Sequence, residues 1–288
     1  MPELPEVETT VRELKKKIIG KKIIDVWTDT PKIIKRPSFS LLKKNIKQRK
    51  IRNITRKGKN IIIELDKNRA VLIHQKMTGH LLFGEWKKEK ESWIPFKNKH
   101  LEDPMNRFIH LFFFLENGGM VALSDLRKFA KVIFGTKEEI NSLEELKKLG
   151  PDALAVNFRD FNKKIKSKKG KIKQVLMNQE IISGIGNIYS DEILFDAKIN
   201  PFKNSVELEE DELRRIFNST KKILKLGVKL KGESFSDYRI PSGKKGNFDS
   251  KRKVYRREGE RCPKCNGKIK REKIGGRSAH FCPTCQKI

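Results

Sequence analysis

Apolar positions near the start of the chain fall on one helical face. After Pro2-Glu3-Leu4-Pro5-Glu6-Val7-Glu8, the residues Val11, Leu14 and Ile18 recur at helical spacing, and Gly20 offers a stop. Pro5 suits a first helical turn. Glu3 and Glu6 then lie near the positive end of that helix, where an acid gains about 0.3–1 kcal/mol. The period changes after residue 20. Runs rich in β-branched and aromatic residues at 23–27, 61–65, 70–74, 108–115, 120–123 and 132–134 predict strands. Asp66-Lys67-Asn68 and Glu116-Asn117-Gly118-Gly119 are credible hairpin turns between them. This half reads as an antiparallel β-sandwich or flattened barrel with the first helix packed against it.

The second half returns to helical spacing at 172–178, 189–197 and 209–226, with turn signals at 183–187 and at Asn200-Pro201. A charged stretch, 136–149, and Gly150-Pro151 look like a connection between the halves. A glycine-punctuated segment from Gly232 to Asn247 precedes the terminal cysteines. No internal repeat is present. The chain is thus α+β, with two domains and a small terminal module.

Charge narrows the partners. The 288 residues carry 66 Lys and Arg against 36 Asp and Glu, a net charge of +30. Such an excess favours a polyanion, with counterion release from phosphates dominating affinity, and nucleic acid leads. A lysine-rich genome composition would produce part of the same bias. Acids follow Met1 directly with no apolar h-region, and the richest apolar run, 109–115, is strand-sized. A cytoplasmic protein without a membrane partner is expected.

Cys262, Cys265, Cys282 and Cys285 form two C-x-x-C pairs separated by sixteen residues. Each pair can hold one edge of a tetrahedral Zn²⁺ site, with residues 268–281 and Gly275-Gly276 as a hairpin between them. Four thiolates close the coordination, so one structural zinc is expected. Redox pairs or disulfides compete with this reading but suit a cytoplasmic chain poorly. Arg277 lies on the outgoing arm of the hairpin, which could present its guanidinium to a phosphate.

Pro2 offers different chemistry. Removal of Met1 would free its ring nitrogen as a secondary amine, and α-amines titrate near roughly 7.7–8.0 against about 10.4 for Lys. Attack of such an amine on a sugar carbon gives an iminium cation that promotes elimination. Glu3, one residue away, could move a proton to the sugar or the departing base. Service at the helix end is the plainer role for both Glu3 and Glu6.

The opening PELPEVE resembles the formamidopyrimidine-DNA glycosylase family of bacterial repair enzymes, which excise oxidised purines. Further family motifs recur in order at Lys59, Met77, Arg127 to Phe129, Gly184 to Asn187 and the cysteines, so the resemblance spans nearly the whole chain. It implies catalytic roles for Pro2, Glu3 and Lys59, although Lys57, two residues from Lys59, could take that register. It implies DNA contacts by Lys173, by Asn187 in the turn of a helix–two-turn–helix unit, and by Arg277. Gly184 to Asn187 also fits a plain helix stop with Asn187 as an N-cap. Met77, Arg127 and Phe129 would fill the space left when the damaged nucleotide is turned out. Where the family commonly has His, this chain has Phe108. Residues 232–248 resemble the mobile loop that closes over the extruded base.

The resemblance divides the chain into an N-terminal β-sandwich catalytic domain (1–135), a linker (136–154), a helix–two-turn–helix domain with the lesion loop (155–250) and a zinc finger (251–288). It implies a DNA glycosylase and abasic-site lyase acting on duplex DNA with oxidised purines or abasic sites by β,δ-elimination. A monomer associated with the bacterial nucleoid is expected. Two rivals stand beside it: an endonuclease VIII-like enzyme for oxidised pyrimidines, and a non-catalytic DNA-binding zinc protein. Leu4 favours the purine branch, because the sister group typically has Gly there.

Overall fold

The computed structural model describes residues 1–90, 92–234 and 237–287. They form two compact units, Met1–Lys147 with Leu230–Asp249, and Lys148–Lys229 with Ser250–Ile288. Among the described residues no helix is long and apolar enough to cross a membrane.

The first unit begins with helix α1 (Leu4–Ile18), continues through β1 (Lys22–Thr28), β2 (Ile34–Arg36), α2 (Phe39–Ile46), β3 (Arg49–Lys57), β4 (Asn60–Leu65), β5 (Arg69–His74), β6 (His80–Glu89), β7 (Ser92–Phe96), β8 (Ile109–Leu115), β9 (Met120–Ser124) and β10 (Lys131–Thr136), and closes with the short α3 (Lys137–Asn141) and α4 (Glu144–Lys147). The strand order is β2-β10-β5-β4-β3-β1-β8-β9-β6-β7. Only the short register Lys22↔Lys50 and Ile23↔Arg49 joins β1 to β3, so the sheet bends there into two layers. Val7, Val11, Leu14 and Ile18 of α1 share a core with Ile61, Ile63 and Ile73 of one layer and Leu111, Phe113 and Leu123 of the other. The face expected from helical spacing is thus the one that is buried. Arg56 of β3 pins α1 from the side, donating to Glu8 Oε2 at 2.9 Å.

The sandwich is antiparallel except for β2, which runs parallel to β10. The charged stretch expected to link the domains is ordered at its start: Thr136 and Glu139 form a capping box on α3. Residues 230–249 also differ from the sequence-based division, which grouped them with the helical domain. They pack on the first unit, because Glu233 N–H binds the Glu6 carboxylate and Phe83 N–H binds Pro241 O at 2.7 Å.

The second unit contains α5 (Phe158–Lys166), α6 (Ile172–Met177), α7 (Asn187–Ala197), α8 (Glu210–Lys229), and the hairpin β11 (Lys270–Ile274) and β12 (Arg277–Phe281). Helix α7 is buried on nearly every side, and α8 and β12 both pack along it. At its C-terminus, the Lys264 ammonium donates to the carbonyls of Phe195 and Asp196, and Arg215 to that of Ala197. Cations there offset the negative helix end.

Candidate active site

The start of α1 is locked by its own acids. Glu3 is the N-cap and shares a reciprocal capping box with Glu6, whose Oε2 accepts the Glu3 N–H at 2.8 Å. Glu6 Oε1 accepts Glu233 N–H at 2.8 Å. Pro2 is buried beside this cap, Glu3 and Glu6 are each 2% exposed, and Met1 projects outward at 45%. The helix-end role anticipated for both acids is therefore real, and it immobilises the residue next to Pro2.

Lys59 stands at the turn into β4, after Gly58, and is nearly buried. Adjacent β5 pairs Asn60 with His74, bringing His74 into the field of Lys59. Burial, followed by the charges of Lys76, Lys59 and Lys131, lowers the His74 pKa to about 3. Its Nδ1 accepts the Lys76 N–H at 2.9 Å, so the neutral ring carries its proton on Nε2. Sequence reading passed over His74. The signal was its register opposite Asn60, visible only once β4 and β5 are paired.

Met77 and the pair Arg127 and Phe129 lie on two loops that are tied together. The Thr78 hydroxyl donates to Asp125 and accepts the Arg127 N–H at 3.2 Å. Asp125 also accepts Ala130 N–H at 2.7 Å. Lys128 adopts φ 56° between Arg127 and Phe129, and the Arg127 guanidinium sits 4.4 Å from the Phe129 ring centroid. Phe129 is half exposed at 50% although large and apolar, and Met77 is half-buried. An exposed aromatic braced by its own cation suits insertion into a base stack. Phe108, standing where a His was expected, lies against the Arg107 guanidinium at 5.0 Å. Phe235 and Ser236, part of the expected closing loop, lie outside the described residues.

In the second unit, Gln179 braces the turn before α7. Its amide donates to Met177 O and Ile185 O, each at 2.8 Å, and accepts Gly184 N–H at 2.9 Å. Gly186 is the N-cap, and Asn187 is the first helical residue instead of the cap. Asn187 Nδ2 donates to Ser278 Oγ at 3.4 Å, next to exposed Arg277 on β12. The two expected phosphate-contacting residues of this unit are thus brought together.

Lys173 is a different matter. Its ammonium is fully buried, paired with Asp191, and donates to Asn187 O and Ser190 Oγ at 3.3 Å each. The helix that carries it faces it inward, where it supports the turn. Asp191 in turn accepts from His280 N and is 3.0 Å from His280 Nδ1. Glu192 accepts the main-chain N–H groups of Lys253, Val254 and Tyr255, while burial raises its pKa.

The four cysteine sulfurs lie within 4.8 Å of one another, with Cys262 to Cys285 at 3.7 Å and Cys265 to Cys282 at 3.5 Å. A tetrahedral zinc with Zn–S bonds of about 2.3 Å separates its sulfurs by roughly 3.8 Å, so the set fits. The Gly267 N–H draws the Cys265 thiol down to about 7, while burial pushes those of Cys282 and Cys285 up.

Three family models match the chain: the formamidopyrimidine-DNA glycosylase N-terminal domain over 1–132, the formamidopyrimidine-DNA glycosylase H2TH domain over 149–239, and a zinc finger found in FPG and IleRS over 259–288. A formamidopyrimidine-DNA glycosylase of Pelotomaculum thermopropionicum is 36% identical over the full length of both chains. One of Streptococcus mutans is 34% identical, again over both full lengths. Similar solved structures include a Lactococcus lactis FPG mutant with a Fapy-dG containing DNA, at 32% identity and TM-score 0.87 over both whole chains. The Lactococcus lactis Fpg complex with an abasic site containing DNA also gives 32% and 0.87, over 99% of this chain and 100% of that one.

Proposed function

Because this chain belongs to the formamidopyrimidine-DNA glycosylase family, we propose that Pro2 is the nucleophile with which it excises oxidised purines from duplex DNA and cuts the resulting abasic strand. The observation that carries the assignment is the reciprocal Glu3 and Glu6 cap beside buried Pro2. It fixes the backbone at the residue whose nitrogen must approach one sugar carbon, and orientation of this kind supplies much of a rate enhancement.

Once Met1 is removed, the Pro2 nitrogen attacks C1′ of the extruded nucleotide and the bond to the base breaks. Glu3 passes a proton to the sugar ring oxygen O4′ as the C1′–O4′ bond breaks, so that the nitrogen lone pair closes the C1′=N⁺ double bond. The iminium so formed acidifies the C2′ hydrogen; its loss expels the 3′ phosphate, and a second elimination expels the 5′ phosphate. The product is a gap of one nucleotide with phosphate ends. Lys59, beside neutral His74, offers its charge to the phosphate or the damaged nucleotide. Met77, Arg127 and Phe129 occupy the space the extruded nucleotide leaves, Arg127 meeting the orphaned base and Phe129 splitting the opposite stack. In the second unit Asn187 and Arg277 hold backbone phosphates. One structural zinc, held by Cys262, Cys265, Cys282 and Cys285, keeps the hairpin that presents Arg277.

Borohydride reduction during turnover on DNA containing 8-oxoguanine tests the proposal. A covalent adduct mapped to Pro2 is expected. Fully processed protein that cuts the strand yet yields no adduct would refute the amine mechanism, and faster release of thymine glycol than of 8-oxoguanine would favour the pyrimidine branch.

A further inference from the structure

His80 opens β6 three residues after Met77, and its side chain is 1% exposed. It faces Asn106, also 1% exposed, with Nε2 3.0 Å from Asn106 Oδ1. The orientation of that amide is decided by its other partners. Asn106 Nδ2 donates to the carbonyls of His100 at 3.0 Å and Gly243 at 3.3 Å, and carbonyls only accept. Oδ1 must therefore face His80, and His80 Nε2 must carry the hydrogen. Burial holds the His80 pKa below its ordinary value, which favours a neutral ring; its one N–H serves the shorter contact, to Asn106 at 3.0 Å, over Nδ1 at 3.4 Å from Thr78 O.

On one side of His80 lie the loops of Met77, Arg127 and Phe129, joined by Thr78 and Asp125. His80 follows Thr78 after the single residue Gly79, and its Nδ1 lies 3.4 Å from Thr78 O. On the other side, Asn106 grips the segment 239–243, which is seated tightly. Gly243 has φ +86° and lies so close to residue 100 that an added Cβ would meet His100 O at 2.5 Å. Arg239 donates to Asp103 at 2.9 Å and Asn98 to Ser242 O at 3.1 Å.

We infer that His80 is a positioning residue, joining through Asn106 the loops that fill the emptied stack to the segment that must hold the extruded base. The inference rests on the excision reading above. Buried hydrogen bonds in series strengthen one another, and loss of one member leaves an unpaired acceptor. Without the His80 N–H, the buried Asn106 Oδ1 is left without its donor, and relief of that cost draws the side chain off Gly243. If that segment holds the extruded base, its loosening slows excision and leaves cleavage at a site already lacking its base unaffected.

The experiment measures single-turnover rates of 8-oxoguanine excision and of cleavage at a preformed abasic site. His80→Leu is expected to slow excision on the order of 10²-fold, as for an ångström-scale misplacement, and to leave abasic cleavage within about twofold. His80→Gln, whose amide reaches Asn106, recovers most of the excision rate, and the shorter His80→Asn does not. If His80→Leu fails to fold, the comparison of Gln with Asn decides alone. Equal loss on both substrates, or no recovery in His80→Gln, would overturn the inference. A wild-type protein inactive on both substrates would instead overturn the excision reading.

Discussion

Tyr238 donates its hydroxyl to the main-chain carbonyl of Glu6 at 3.0 Å, across 232 positions of sequence. Burial raises the Tyr238 pKa well above its ordinary value, so the group remains a donor at any physiological pH. The Glu6 carboxylate meanwhile divides its oxygens between the N–H groups of Glu3 and Glu233. One residue thus fixes the backbone beside Pro2 and the foot of the closing segment. Glu6→Ala should orphan both donors and lower stability by about 1–3 kcal/mol for each, read as a shifted urea midpoint. Glu6→Gln, with one acceptor oxygen, should fall between. Equal midpoints for all three proteins would remove the role.

Gln75 lies in the loop before Met77, 1% exposed, with neither amide atom bonded to another of the described residues. Its carbonyl is used, accepting Gly79 N–H at 3.1 Å. A buried amide without partners costs about 1–3 kcal/mol, so Gln75→Leu, of similar volume, should raise stability by an amount in that range. Calorimetry or urea denaturation reads the change. A destabilised Gln75→Leu protein would mean the amide serves the folded state after all.

His74 makes stability depend on pH. Its folded pKa of about 3 lies below the ordinary 6.5, so between these values the unfolded chain binds more protons. The contribution is complete above about pH 6.5 and is lost as pH falls toward 3. Wild type should therefore lose more stability between pH 7 and pH 5 than His74→Asn does. Parallel pH profiles for the two proteins would show that His74 titrates normally.

Much of this was legible in the chain. The spacing of Val11, Leu14 and Ile18 gave α1 to its last residue, and the cysteine spacing gave the metal cluster. Strand β3 was not legible because a register shift between Ile51 and Asn53 breaks the alternation on which strand recognition depends. Its remaining residues are mostly charged. The same limit hid His74, Glu6 and Asn106 as site residues. Their significance lies in what the folded chain sets opposite them. Lys173 shows the converse: a family motif marks the position, but only burial reveals whether a lysine faces solvent or a carboxylate.

That distinction yields a salt-dependent test. A residue neutralising a phosphate contributes about one counterion to the slope of log affinity against log salt. Arg277→Ala should reduce the slope by about one and weaken binding to all sequences alike. Lys173→Met should leave the slope unchanged, because its charge is balanced by Asp191 inside the protein. Its effect should appear as lost stability, about 3–5 kcal/mol for a buried pair broken on one side. Replacing Asp191 as well, by Leu, should recover part of that loss, less what His280 forfeits with its own partner. A reduced slope in Lys173→Met without destabilisation would return Lys173 to the DNA.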